Sequence, residues 1–309
     1  MKCKVITLLS AASLWAAAAG TAQAQSVLYA TGNGSGPGAG LSGLYTVNPS
    51  NGASTLVWNF PDIAIYAGGL AYDAATNVLY ATGNETSSSG ISRLFTIDRF
   101  TGATTSFAGM SSSFNLSSGG LAINPLTGVM YATGTDGLQS TALFTIDKNT
   151  GAATRVGQAG TGCCINLNGL GFGNDGTLYA NGFDAADPDT TSHLFTVNLA
   201  SGAATNIGAH GVLLGRQLAY SGLAFRDDGT LLSLGSITAS ANGLYSVNTL
   251  TGTALLLGDT GVQYGVDGGL TLVPTGLIPE PETYALLMAG LGLLGFVARR
   301  KRKIQERAV

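Results

Sequence analysis

Positive charge is nearly missing from the body of this chain. Of its 14 lysines and arginines, two lie among the first four residues and six among the last eleven, leaving six between Gln25 and Ile278. The same segment holds fourteen acidic residues, for a net charge near −8. With no basic patch, nucleic acid and anionic lipid surfaces are excluded as favoured partners of that segment. Glutamate is scarcer still: Glu85 is its only one, so any paired-carboxylate chemistry there must use aspartates. The two histidines, His193 and His210, stand in loops without a spaced nucleophile or ligand motif, and both read as satisfied surface histidines. There are three cysteines, too few for a disulfide framework, and two of them are the adjacent Cys163 and Cys164. No G-x-S-x-G, Walker or Rossmann fingerprint is present, and no cofactor or metal is expected.

Glycine, by contrast, is plentiful, with 46 copies, and it falls in register. A turn motif recurs as VNPSNGAST, IDRFTGATT, IDKNTGAAT, VNLASGAAT and VNTLTGTAL, with its glycine at Gly52, Gly102, Gly151, Gly202 and Gly252. The period is about 50 residues, the length of a propeller blade. Ahead of each turn lies a Leu-aromatic pair: Leu44-Tyr45, Leu94-Phe95, Leu143-Phe144, Leu194-Phe195 and Leu244-Tyr245. Earlier in each unit comes LYATG or a relative, and before that a GLA-type strand near Leu70, Leu121, Leu170 and Leu223. Alternating apolar and small residues bounded by Gly, Asn and Asp are strand chemistry, and no helical periodicity competes. Each unit therefore reads as four short strands, a to d. The first unit lacks strand a, and a spare one, Gly269–Val273, sits at the far end. Pairing the two closes the ring and removes an open sheet edge. The expectation is an all-β, five-bladed β-propeller over residues 25–274, closed by a C-terminal strand.

The two ends of the chain are of another kind. Lys2 and Lys4 precede an apolar stretch, Val5 to Ala19, and Ala22-Gln23-Ala24 is a small-x-small cleavage site. This predicts a signal peptide over residues 1–24, with Cys3 lost alongside it. At the other end, Pro279-Glu280-Pro281 is followed by an uncharged apolar stretch from Thr283 to Ala298. The basic run Arg299, Arg300, Lys301, Arg302 and Lys303 comes next. Sixteen residues are short of the roughly 20 of a comfortable span, and the basic run would hold its end on the cytoplasmic side. Residues 275–309 are thus read as a motif, a short transmembrane helix and a basic tail. The order resembles the PEP-CTERM family of bacterial exported proteins. That resemblance implies an inner-membrane-anchored intermediate, cut by an exosortase at or near the Pro-Glu-Pro motif, and then a cell-surface or extracellular destination. It names no biochemical activity. The repeats are also similar to the "LY.ID..TG" propeller repeats of other exported bacterial proteins.

Alternation of strands places the a–b and c–d turns on one face, where they are short and uniform. The b–c and d–a connections share the other face, and these are long and dissimilar. Long individual loops on a rigid scaffold are where propellers place binding groups. That face supplies the candidate ligand residues Asp62, Tyr66, Arg216, Tyr264 and Asp267, though tyrosines there also serve as plugs between blades. Cys163-Cys164 lies there too; in an oxidising compartment the pair can close a vicinal disulfide, join another chain or stay free. Asp184, Asp187 and Asp189 match no calcium motif and read more plainly as a solvated loop. The closing strand ends on the short-turn side, so an uncut tail is expected to hold the long loops away from the membrane. Two functions follow from these features: a surface or matrix protein that binds or structures exopolysaccharide or biofilm, and a secreted polysaccharide hydrolase or lyase. No set of residues adds up to a catalytic constellation. The partners expected are signal peptidase, exosortase, the inner membrane and extracellular polysaccharide.

Overall fold

In the computed structural model, five antiparallel sheets form a closed five-bladed propeller. The described residues are 25–33, 42–65, 68–85, 92–107, 115–116, 119–135, 141–159, 165–184, 191–211, 218, 221–238, 241–261 and 268–275. Ser26–Val273 forms one compact unit, and none of the described residues is helical. Blade 1 contains β1 (Gln25–Asn33), β2 (Ser42–Val47) and β3 (Ser54–Phe60). Blade 2 contains the two-residue β4 (Ile63–Ala64), then β5 (Leu70–Asp73), β6 (Val78–Glu85), β7 (Ser92–Ile97) and β8 (Thr104–Ser106). Blade 3 is β9 (Leu121–Ile123), β10 (Met130–Gly134), β11 (Ala142–Ile146) and β12 (Ala153–Gln158). Blade 4 is β13 (Ile165–Phe172), β14 (Leu178–Asp184), β15 (His193–Val197) and β16 (Ala204–Ala209). Blade 5 is β17 (Leu223–Phe225), β18 (Leu231–Thr238), β19 (Ala241–Val247) and β20 (Ala254–Asp259). The last strand, β21 (Leu270–Thr275), pairs with β1 and completes blade 1. Thr31 N–H donates to the Gly269 carbonyl at 3.0 Å, and Gly269 N–H donates to Thr31 Oγ1 at 2.8 Å.

The turn chemistry read from the repeats is present in every blade. Asn48, Asp98, Asp147, Asn198 and Asn248 each accept the N–H two residues on, at 2.7–2.9 Å. The glycine that follows has φ between 71° and 78°, a left-handed conformation that side chains resist. Each c–d hairpin is thus specified locally, before any blade packs on another.

Apolar burial then joins the blades. There are five hydrophobic clusters, and each is one seam between neighbouring blades. The Leu-aromatic pair in the third strand explains why. Leu44 packs forward into the blade 1–2 seam, whereas Tyr45 packs back into the blade 5–1 seam. Leu94 and Phe95 divide in the same way, as do Leu143 and Phe144. Adjacent residues on a strand point to opposite faces, so one dipeptide serves two seams. Phe95, Phe144 and Phe195 are essentially fully buried. Each contributes about 2–3 kcal/mol relative to exposure.

At the axis the inner strands approach so closely that the leading Gly-Gly pairs have no substitute. A Cβ on Gly69 would overlap the amide nitrogen of Leu121, and one on Gly120 would overlap Asn168 O and Leu170 N. Gly222 and Gly269 meet Leu270 and Leu70 in the same manner, carrying the contact around the ring. Blade 4 departs from its siblings. Its inner strand starts early, at Ile165, and absorbs the extra residues as a bulge between Leu167 and Leu170.

Candidate functional site

The ring creates three places where chemistry can collect: the axis, the long-loop face and the seams. At the axis, the strand pairing decides what is displayed. Gly69 and Gly120 accept from Thr82 and Thr133, so in an antiparallel ladder the N–H and C=O of every second residue point the other way. For β5 and β9 these are Leu70, Tyr72, Leu121 and Ile123, whose backbone groups therefore face the channel. A cavity of about 150 Å³ lies there, walled by all five inner strands and reaching Pro125 and Asn174 at the short-turn end. Its rim is aromatic: Tyr131 lies against Phe172 at 5.7 Å between ring centres, and Tyr179 against Phe225 at 5.5 Å. Each pair spans a seam, so these rings fill gaps between blades.

On the long-loop face a repeated device holds the d–a connections. The hydroxyls of Ser42, Ser92 and Thr141 accept the N–H groups of Ile65, Leu116 and Leu167, each at 2.8 Å. At the equivalent place in blade 4, the Ser192 hydroxyl is buried without a partner among the described residues. Of the ligand residues expected on this face, Asp62 is exposed at the end of blade 1, beside β4. Tyr66, Arg216, Tyr264, Asp267, Cys163 and Cys164 lie outside the described residues, as do Asp187 and Asp189. Asp184 ends β14. Glu85 ends β6, opposite Ile63.

The histidines correct the sequence reading. Both are buried, His193 at 7% exposure and His210 at 1%. His210 follows the outer strand of blade 4 and enters the seam with blade 5. Its Nδ1 lies 2.7 Å from the Gly252 carbonyl and its Nε2 3.1 Å from Asn181 Oδ1. Asn181 Nδ2 in turn donates to Ser233 Oγ at 2.7 Å and the Ser221 carbonyl at 3.3 Å. A carbonyl only accepts, so Nδ1 carries the proton of the neutral ring and Nε2 is left as an acceptor. Turning the Asn181 amide would give Nε2 a donor but set the amide oxygen against the Ser221 carbonyl. The Ser233 hydroxyl already donates to the Leu234 carbonyl, so the Asn181 nitrogen stays with Ser221 and Ser233. Burial pushes the imidazole down to about 4, helped by the neighbouring His193 and opposed by the Gly252 contact. This histidine is a neutral seam residue, far from a general base poised near neutrality.

Other charged groups are likewise engaged. Burial would raise the Asp73 carboxyl, but the Lys148 ammonium at 2.6 Å, the Ala75 N–H and the Thr76 hydroxyl together hold it below the usual range. This ion pair ties the a–b turn of blade 2 to the c–d turn of blade 3. Arg226 pairs with Asp228, whose carboxyl is lowered strongly by that hydrogen bond.

One group escaped the sequence reading altogether. Arg99, in the c–d turn of blade 2, lies 4.5 Å from the Phe100 ring centre and 5.7 Å from that of Tyr72. Its Nη1 donates to Asn77 Oδ1 at 3.0 Å, which also accepts from the Tyr72 hydroxyl at 2.8 Å. Asn77 has φ of 57°, the only positive value for a non-glycine among the described residues. From blade 1, the Trp58 indole N–H donates to the Arg99 carbonyl at 3.1 Å. A pocket of about 300 Å³ lies beside this turn, walled by Asn77, Val78 and Thr96 through Phe100. The signal was available, since blade 2 alone places a cation and an aromatic side by side at this turn.

Comparison with protein families adds what the ring cannot show. Residues 277–303 match the PEP-CTERM protein-sorting motif. The chain thus carries both a five-bladed ring and a PEP-CTERM sorting motif. The motif implies an exported protein with a membrane-anchored intermediate, processed by an exosortase. The short helix expected in the tail lies outside the described residues, and among those described no helix is long and apolar enough to cross a membrane. A comparison with curated sequences returned no match. Among solved structures, this chain is similar to a chain of the nidogen/laminin complex, at 13% identity and a TM-score of 0.48 over 80% of this chain and 98% of that one. It is also similar to the exo-β-1,3-galactanase of Phanerochaete chrysosporium, at 13% identity, a TM-score of 0.45 and 64% and 49% coverage. A gluconolactonase of Xanthomonas campestris matches at 13% identity, with a TM-score of 0.44 and 72% of each chain covered. The five-bladed assignment rests on the strand pairings above.

Proposed function

We propose that this chain is a binding or structural protein of the cell surface or extracellular matrix, associated with exopolysaccharide or biofilm material. The observation that carries this reading is the sorting motif joined to a closed ring. In this reading signal peptidase removes residues 1–24 and an exosortase cuts near Pro279-Glu280-Pro281. Until then Arg299, Arg300, Lys301, Arg302 and Lys303 stop the tail at the inner membrane. Binding is favoured over hydrolysis by the duties of the described ionisable groups: Asp73 and Asp228 hold cations, Asp98, Asp147 and Asp175 cap turns, and His210 seals a seam. On the long-loop face, Asp62, Tyr66, Arg216, Tyr264 and Asp267 remain the proposed contacts, with Cys163 and Cys164 as a vicinal disulfide stiffening one loop.

A glycan array and a reducing-end release assay on the purified protein test this together. Glycan binding without product is expected. Product released by the protein, and lost on substitution of Asp62 or Asp267, would overturn it in favour of a hydrolase or lyase.

A further inference from the structure

We infer that the c–d turn of blade 2 is a binding site for an acidic sugar, with Arg99 taking the carboxylate and Phe100 stacking on the sugar face. This rests on the polysaccharide reading above and deepens it, because it names a subsite and a chemical class. It also moves attention from the long loops to the short-turn face.

Four observations converge on the turn. Phe100 is 72% exposed at its tip, where the other blades carry Ser50, Asn149, Ala200 and Leu250. Arg99 is the second feature. Lys148 and Arg226 are each matched to a carboxylate, and Arg93 donates to the Phe107 carbonyl. Arg99 instead rests against two rings and one amide oxygen, which fix its plane while leaving most of its five N–H donors unused among the described residues. Third, Asn77 stands where the other a–b turns carry the left-handed Gly128, Gly176 and Gly229, so blade 2 alone has a side chain there, and its oxygen is shared by Arg99 and Tyr72. Fourth, the adjoining pocket of about 300 Å³ is at the lower end of the range for small-ligand sites.

The pocket wall decides the ligand class. Thr96 and Asn77 offer neutral polar groups, and Asp98, held by the N–H groups of Phe100 and Thr101, offers a hydroxyl acceptor. Asp98 also disfavours a doubly charged phosphate beside the single arginine. A uronic acid suits all of these: one carboxylate for Arg99, hydroxyls for Asp98 and Thr96, and a C–H face for Phe100. An acidic peptide or an anionic lipid would use the cation but not the stacking ring together with the hydroxyl acceptors.

The site carries its own reporter. Trp58 donates to the Arg99 carbonyl, and its ring packs so closely that a Cβ on Gly102 would stand 2.6 Å from it. The other tryptophan, Trp15, lies within the expected signal peptide. Titration of the purified protein with trigalacturonate, followed by tryptophan fluorescence, is expected to give a saturable change that weakens with salt. Arg99→Gln and Phe100→Ala are each expected to weaken it at least 10-fold, while Arg226→Gln leaves it unchanged. Circular dichroism and the thermal midpoint verify that these exposed substitutions keep the fold. Trigalacturonate binding untouched by both variants overturns the site. Binding of maltotriose equal to trigalacturonate, and insensitive to both variants, also overturns it while leaving the polysaccharide reading standing. Equal competition by polyglutamate or phosphatidylglycerol vesicles overturns the ligand class. No binding to any glycan overturns both readings.

Discussion

Acid is expected to loosen the blade 4–5 seam through one residue, His210. In the folded chain its imidazole titrates near 4, held there chiefly by burial, whereas an unfolded histidine titrates near 6.5. A group whose protonation is disfavoured by folding stabilises the native state above its unfolded value and loses that contribution as pH falls. The window is therefore about pH 6.5 down to about pH 4, and the unfolded state binds the extra proton throughout it. A separation of about 2.5 pH units at about 1.4 kcal/mol each corresponds to roughly 3.5 kcal/mol of stability, of which about 3 kcal/mol is gone by pH 4. The comparison is wild type against His210→Gln, which keeps a polar side chain in the seam and cannot ionise. At neutral pH the variant is expected to be less stable by about 1–3 kcal/mol, because the Gly252 carbonyl or Asn181 loses its partner. Urea unfolding at pH 7.5, 6, 5 and 4 then measures the difference. Wild type is expected to lose roughly 3 kcal/mol more than the variant across that range, so the two curves converge or cross. Parallel curves would refute the reasoning, since they would mean that His210 does not remain neutral in the seam.

Three further outcomes are expected. Gly120→Ala places a Cβ on Asn168 O and Leu170 N and should abolish folding or cost several kcal/mol, whereas Gly229→Ala, with φ of 82° and open space around it, should cost only about 1–2 kcal/mol; thermal melts of both separate crowding from backbone strain. Lys148→Met leaves the buried Asp73 carboxylate uncompensated and should cost about 2–4 kcal/mol at pH 7. Because the Asp73 carboxyl is lowered in the fold, that stability is present above about pH 4 and is lost as pH falls further, so the gap in urea midpoints should narrow progressively below about pH 4. A stop after Asp267 removes β21 and exposes the edge of β1; the product should aggregate on size-exclusion chromatography, and a monomer with the wild-type melting temperature would contradict ring closure by that strand.

The ring was legible in the sequence because its determinants are local and repeated. The Asn or Asp that opens each c–d turn, the glycine that ends it and the Leu-aromatic pair ahead of it each act within a few residues. The unpaired Gly269–Val273 segment needed only counting. What stayed hidden depends on neighbours from other blades. His210 looks like a loop residue until its position is aligned with Phe60, Ala159 and Thr260 at the ends of the other outer strands, where burial is the rule. Trp58 occupies the place of Gly157, Gly208 and Gly258. Its ring packs on the turn of blade 2, where those glycines let the backbone of the next blade approach. The cation held by Asn77 combines a left-handed backbone with contacts from three segments, which no single motif encodes. Asp62 is exposed between β3 and β4, and its role as a ligand contact stays a proposal.

The partnership of β21 with β1 also sets a timetable. Blades 2 to 5 are each made of contiguous chain and can form as soon as their own 50 or so residues are available. Blade 1 cannot, because Thr31 and Gly269 are 238 residues apart. Bringing such distant segments together costs about 5 kcal/mol of chain entropy from length alone. The reward arrives at once and on two sides, since Leu270 packs into the blade 5–1 seam and Val273 into the blade 1–2 seam. The strands made first are therefore completed last, and one late arrival seals two seams together. A chain crossing a membrane from its N-terminus would wait with an open edge until the final strand came through. From that moment it would unfold only as a whole.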